Sequence, residues 1–484
     1  MMTTQKIAMH WINGEWMDSS PHRESIDPAT YQVIGSYADG GVEVAAAAIA
    51  AARRAFETTE WKRDASLRAR VLEELAASFE RHTDSLVEQL ALENGKVRPE
   101  ASFEVNMVPS KLRYYAALAR VERGHSGTPR PDVLSIVLRE PMGVAGIIVP
   151  WNSPVVLMIR SLAPAMAAGT TVVIKMPGQT AQTNALIARV MSEAPSLPCG
   201  VINLFSELGA EGSKHLVASP AVPVISFTGS TATGRAISAV GAQYLKRFGL
   251  ELGGKTPHLV FDDANIDAAL PVLEKSLTVF AGQFCMTGSR LLVQRAVANQ
   301  VRTKLANRLL DLKVGPASDP RSDMGPLIDK PNVARVDHAV EEAIAQGARI
   351  VVRGGPIVEG ELARGAFYRP TLLEVDDPHL DIVQKETFGP VLTMQVFDTE
   401  AEAISLANDS EYGLSAGIWT RDIQRSFRVA RELQSGTVWI NDWAKVYDEF
   451  EEGGYRQSGL GRLNGVAAID DFIEYKHITL STAD

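Results

Sequence analysis

From Asp64 to Asn94 the apolar positions recur at three- and four-residue steps: Leu67, Val71, Leu75, Phe79, Leu86 and Leu90, with charges between them. That spacing predicts one long packed helix, closed by Gly95 where a C-terminal cap belongs. From about Gly143 the rhythm changes. Continuous apolar runs at Ala145–Val149, Thr171–Ile174, Val201–Phe205 and Val224–Phe227 alternate with helix-like segments at 154–168, 183–192, 212–217 and 234–244. Fully apolar strands separated by helices predict a parallel sheet covered on both faces. In such sheets ligands bind beyond the carboxyl ends of the strands. A second α/β lobe begins near Lys255, with candidate strands at Leu259–Phe261, Leu291–Val293, Val391–Phe397 and Val438–Ile440. Ser135–Glu140 and Phe472–Leu480 also read as strands but belong to neither lobe, so they are expected to pair elsewhere.

The chain has 484 residues, 45% of them hydrophobic, which is too many for one ordinary core. Its formal net charge of −10 argues against a broad nucleic-acid surface. Two cysteines make no disulfide framework, and a reducing, cytoplasmic setting is expected. The N-terminal residues lack the pattern of a signal peptide. The alanine-rich stretch at 44–52 is too short to span a bilayer and reads as a surface helix. Nine scattered histidines form neither HExxH nor a Cys-His cluster, so no metal site is expected.

Four segments carry side chains suited to chemistry. Cys285 lies in GQFCMTGSR, where Gly282, Thr287, Gly288 and Ser289 would let a substrate approach a nucleophilic thiolate. A buried structural cysteine is the ordinary alternative, and Cys199 in LPCG fits that description. Glu251, inside the apolar, Gly-rich LELGGK, suits a general base with a raised pKa, or an ion-paired glutamate. Asn152 in VPWNSP follows a strand and precedes a helix, a place for an oxyanion donor or for a helix N-cap. FTGSTATG (Phe227–Gly234) offers backbone N–H groups to an anion, or is a plain strand-to-helix turn.

Each signal is weak alone, but their order is specific. VPWNSP, IKMPG, FTGS, LELGGK, GQFCMTGSR and KETFGP follow one another, with 23 residues from Asn152 to Lys175 and 34 from Glu251 to Cys285. Together with INGEW near the start and SGLGR and FIEYKHITL near the end, they make the chain resemble the aldehyde dehydrogenase superfamily over nearly its whole length.

The resemblance implies an α/β fold: a Rossmann-like cofactor domain (1–124 and 146–250), an α/β catalytic domain (251–464) and a small β-arm for oligomerisation (125–145 and 465–484). It implies a homodimer or homotetramer that acts on a small-molecule aldehyde. Cys285 matches the nucleophile, Asn152 with the Cys285 N–H the oxyanion site, and Glu251 the base that activates water. The implied cofactor is NAD. Pro150 and Trp151 match its nicotinamide end, Lys175 the adenosine ribose, Gly229 and Ser230 the pyrophosphate turn, and Glu386 the nicotinamide ribose, with Phe388 packed nearby. Glu251 argues for release of a free acid over the CoA-acylating and phosphorylating variants. A non-catalytic binding protein on the same fold is the other reading.

The chain departs from the family at informative places. Gly178 stands where NAD-preferring relatives often carry a glutamate, which leaves NADP open. Ser153 replaces the usual aromatic residue after the asparagine, and Glu451-Glu452-Gly453-Gly454 replaces PFGG, implying a wider or more polar substrate mouth. Arg160, eight residues after Asn152, stands where some relatives carry tryptophan and succinic semialdehyde dehydrogenases carry arginine, but the latter's second arginine is here Val279; a helix-surface arginine paired with a neighbouring acid is the ordinary alternative. A semialdehyde acid bound by Arg160, or an aromatic aldehyde, is the expected substrate.

Overall fold

The computed structural model describes residues 7–121 and 124–481. Two large sheets organise it. The first has eight strands, ordered Gly459–Leu460, Arg247–Glu251, Val224–Thr228, Val144–Ile148, Thr171–Pro177, Ile202–Glu207, His10–Ile12 and Glu15–Met17. Its five central strands are parallel, and their apolar side chains are buried on both faces, as the uninterrupted runs require. The hairpin at its edge turns through Asn13 and Gly14, both with positive φ, the geometry an Asn-Gly pair favours.

The second sheet has seven strands, ordered Arg349–Val352, Thr371–Glu374, Val391–Phe397, Arg290–Gln294, Pro257–Val260, Ser415–Trp419 and Thr437–Ile440. All four candidate strands of this lobe are present, and Ser415–Trp419 is an additional central one. The two leftover segments pair with each other. Ile473–Ser481 runs antiparallel to Val133–Pro141 in a small sheet completed by His125–Arg130. Leu138, Tyr475, Ile478 and Leu480 of this sheet are exposed.

Two expectations need correction. The stretch 64–94 is two helices, Ala65–Arg81 and Thr83–Asn94, with His82 non-helical between them. The apolar series has no member between Phe79 and Leu86, and the polar residues His82 and Thr83 mark the break. Gly95 does adopt the left-handed conformation at the second helix's end. The alanine-rich segment is a helix, Val42–Thr58, but it is more than a surface element. Val44, Ala45, Ala48, Ile49, Ala51, Ala52 and Ala55 are buried, most of them in a core shared with Val173 and Phe205 of the first sheet. No described helix is long and apolar enough to cross a membrane.

Candidate active site

The register of the parallel strands sets the candidate residues along one edge. Ile148 and Phe205 both pair with Lys175, Phe227 pairs with Ile148, and Thr228 with Glu251. The loops after these strands therefore open on the same side of the sheet, carrying Asn152, Gly178, Gly229 and Ser230, with Lys175 and Glu251 near the carboxyl ends of their own strands.

Cys285 comes from the second lobe on an irregular loop. After the helix Ile266–Thr278 the chain passes through three positive-φ residues, Phe280, Ala281 and Gly282. Strain of this kind persists only where the surroundings fix it. Here the Gln283 side chain donates to Phe280 O at 3.0 Å and accepts from Ile328 N at 2.9 Å, while Glu100 accepts from Phe280 N at 3.2 Å. Two of the loop's small residues are required by close packing. A Cβ on Gly282 would lie 2.3 Å from the Gly389 backbone, and one on Gly288 2.4 Å from the His258 ring.

The Asn152 side chain reaches this loop, donating from Nδ2 to Gln283 O at 3.0 Å. Its second N–H has no acceptor in the described chain, and neither has the N–H of Cys285, two residues beyond Gln283. The N-cap position of the following helix, Pro154–Ala168, is Ser153 and not Asn152. Burial pushes the Cys285 thiol up to about 12. The Arg160 guanidinium opposes that rise, and Glu452, Glu386 and Glu251 add to it. Cys199, in contrast, is exposed, so the buried structural role expected of it is wrong.

Glu251 ends its strand fully inside the protein. Desolvation raises its carboxyl to about 8, Arg160 pulls it down, and Glu452 pushes it up. Its Oε1 has no hydrogen-bond partner. LELGGK also touches the nucleophile loop, because a Cβ on Gly254 would meet Cys285 O at 2.5 Å.

Arg160 is no surface residue. It is buried, and Nη1 donates to Glu452 Oε1 at 3.0 Å. Glu452 Oε2 accepts from Asn464 at 2.8 Å. Sequence reasoning recorded both departures from the family pattern but did not join them. The available signal was the pair of opposite charges, each replacing an aromatic residue. Ser153 also has an internal partner: its hydroxyl is engaged by Lys96 at 3.1 Å, and Lys96 itself pairs with Glu104 and lies over the Phe280 ring. That occupied, buried hydroxyl is not the open polar mouth expected at this position.

The residues fit a dinucleotide. Trp151 and Phe388 meet edge to face at 5.6 Å, and Asn94 holds the Trp151 carbonyl at 2.7 Å. Pro150 is half-buried beside them. Glu386 accepts from Gly254 N at 3.3 Å, and removal from water raises its carboxyl to about 7. Arg335 fixes the same loop through the Thr387 and Phe388 carbonyls. At the other end, Ser230 is exposed and caps the twelve-residue helix Thr231–Ala242 by accepting from Thr233 N, and a helix N-terminus of this kind suits an anion. Gly229 N is fixed by Glu251 O at 3.0 Å. The Lys175 ammonium forms no hydrogen bond among the described residues, and Glu207 and Asp39 stabilise its charge against burial. Gly178 is packed tightly, so that a Cβ there would lie 2.6 Å from Tyr37 Oη and 2.9 Å from the Leu208 backbone. Among the described residues no group of three or more His, Cys, Asp or Glu side chains could hold a metal ion.

The two sheets thus bring a cysteine loop, a buried carboxylate and a side-chain amide to one place at the carboxyl ends of a parallel sheet. The chain belongs to the aldehyde dehydrogenase family: residues 16–478 match the model of the Aldehyde dehydrogenase family. It is 38% identical over 476 residues to a betaine aldehyde dehydrogenase of Bacillus subtilis, covering 98% of this chain and 97% of that one. It is 34% identical over 477 residues to a (Z)-2-((N-methylformamido)methylene)-5-hydroxybutyrolactone dehydrogenase of Acinetobacter baylyi, covering 98% and 97%. A crystal structure of betaine aldehyde dehydrogenase from Staphylococcus aureus in complex with NAD+ superposes with a TM-score of 0.96 at 35% identity, covering 99% of this chain and 96% of that one.

Proposed function

We propose that this chain oxidises an aldehyde to the free carboxylic acid with NAD, Cys285 acting as nucleophile, Asn152 as oxyanion donor and Glu251 as the base for water. One observation carries the reading. Three segments far apart in sequence meet around Cys285: Asn152 bonds to the nucleophile loop, and the LELGGK turn packs on it with the Glu251 carboxyl buried and raised.

Cys285 loses its thiol proton to solvent as Sγ attacks the carbonyl carbon, forming the C–S bond while the carbonyl π bond breaks. The oxygen becomes an oxyanion facing Asn152 Nδ2 and the Cys285 N–H, donors that need no reorganisation. NAD supplies the two-electron acceptor when bound. The adduct carbon gives up its hydrogen with the electron pair and becomes a thioester on Cys285. Glu251 then takes a proton from water, the new hydroxyl attacks the thioester carbon, and the C–S bond breaks with the proton returning to sulfur. Neither CoA nor phosphate is needed.

Pro150, Trp151, Glu386 and Phe388 hold the nicotinamide end, Lys175 and Gly178 border the adenosine ribose, and Gly229 and Ser230 take the pyrophosphate. The cofactor domain comprises 1–124 and 146–250, the catalytic domain 251–464, and the arm 125–145 and 465–484. The exposed apolar side chains of the small sheet support association through that arm into a homo-oligomer. The cytoplasm is the setting that two unpaired cysteines suit.

The test is NADH formation over a panel of aldehydes, run beside Cys285→Ala with neither CoA nor phosphate present. Turnover that yields acid and is lost in the variant supports the reading; turnover retained by the variant overturns it.

A further inference from the structure

The Arg160–Glu452 pair sits among the reacting groups. Arg160 acts electrostatically on both Cys285 and Glu251, and so does Glu452. Gly453, next to Glu452, faces the base: a Cβ there would lie 3.1 Å from Glu251 Oε1. The pair is buried, and Asn464 secures it by donating to Glu452 Oε2 and accepting from Lys111 at 2.6 Å. Both Glu452 oxygens are thereby engaged, but the guanidinium is not. Arg160 Nε and Nη2 are buried donors without a partner. Buried donors are ordinarily satisfied, and an arginine fork is built to present several at once.

Charge selects what those donors would take. Glu452 already neutralises Arg160. A carboxylate brought here would find a compensated guanidinium and would lie near Glu452 and Glu251. Burying such a charge without a counter-charge of its own is unfavourable. A cation would find both oxygens of Glu452 occupied and free N–H groups turned against it. An uncharged oxygen meets neither obstacle. A second wall is apolar: Phe284 and Trp443 meet edge to face at 5.9 Å, and Cys285 packs against their cluster with Met286 and Trp439.

We propose that the Arg160–Glu452 pair selects aldehydes carrying an uncharged oxygen acceptor, such as a hydroxyl or an amide or ester carbonyl, on an apolar frame. This deepens the aldehyde-oxidising reading and rests on it for the location of the substrate. It replaces the semialdehyde acid expected from Arg160 alone, because Glu452 cancels the charge on which that expectation stood.

The test uses four aldehydes of one chain length, ending in hydroxyl, carboxylate, trimethylammonium or methyl. Binding to the Cys285→Ala protein by calorimetry reads recognition without reaction. The hydroxyl compound should bind tightest, by at least about tenfold over the methyl compound, as expected where a site offers otherwise unpaired donors. Glu452→Gln should move the preference toward the carboxylate. The double variant Arg160→Met/Glu452→Leu removes both charges together, leaves no lone buried ion, and should abolish the hydroxyl advantage. Tightest binding of the carboxylate or ammonium compound to Cys285→Ala, or a hydroxyl advantage that survives the double variant, overturns the proposal. Wild-type protein that turns over none of the four but keeps this binding order overturns the proposed reaction and supports the recognition.

Discussion

The Asn152 amide donates to the Gln283 carbonyl at 3.0 Å, joining the loop after a strand of the first sheet to the nucleophile loop of the second lobe. One nitrogen thus ties the two lobes together at the Cys285 loop and keeps a second N–H without an acceptor in the described chain. Asn152→Ala removes both. It should lower kcat by about 10²–10³-fold, the cost of one oxyanion donor. Steady-state kinetics check this, and a drop below threefold would remove Asn152 from the oxyanion site.

Glu251 is held near 8 by burial, so its base form grows as pH rises through that value. The hydrolytic step should accelerate with pH over the same range. In Glu251→Gln the thioester should accumulate, visible as a burst of NADH and as added mass on the protein. The same raised carboxyl affects stability. The folded state keeps its proton between the ordinary glutamate range and about 8, so this group's contribution falls as pH rises through that window. Glu251→Gln should therefore melt at a higher temperature than wild type at pH 9, measured by calorimetry.

Burial holds the Cys285 thiol protonated at neutral pH. In the free enzyme its alkylation by iodoacetamide should be slow near pH 7 and should still be rising at pH 10. The exposed Cys199 would mask this signal, so the measurement belongs in a Cys199→Ser background. Glu452→Gln leaves the Arg160 charge uncompensated beside the sulfur and should speed labelling at every pH below the plateau. No change in rate would place Arg160 too far away to act on the thiol.

Gly178 alone left the choice between NAD and NADP open, but the structure places two carboxylates beside Lys175. Glu207 and Asp39 both interact with its ammonium, and Glu207 also accepts from Gly212 N at 2.7 Å. That leaves little positive potential for a 2′-phosphate. NAD should bind more tightly than NADP by fluorescence titration. Lys175→Ala should weaken NAD by about tenfold, the loss of one charged hydrogen bond, and Glu207→Gln should narrow the gap between the two nucleotides.

The antiparallel pair of Ile473–Ser481 with Val133–Pro141 exposes Tyr475, Ile478 and Leu480. Ile478→Asp with Leu480→Asp should give a smaller species in light scattering, while far-UV circular dichroism stays unchanged. An unaltered mass would rule out the arm as the contact.

The strand–helix alternation of the first lobe was legible because fully buried parallel strands are written as uninterrupted apolar runs. Thr171–Pro177 and Pro154–Ala168 follow directly from it. Arg247–Glu251 was missed as a strand because its first half is only half-buried and Gly249 interrupts its pattern. The break at His82 was hidden by an apolar series that resumes in nearly the same phase.

The sequence by itself determined the family and the order of the motifs and singled out Cys285, Glu251 and Asn152 as candidates, because each is tied to a local stretch whose residue types are set by strand, turn and helix. Tertiary structure decided what those residues meet. That Arg160 is neutralised by Glu452, 292 positions away, depends on how the second lobe folds back over the first, and so does the exposure of Cys199. Periodicity records which residues leave water; it does not record which distant residue they find when they do.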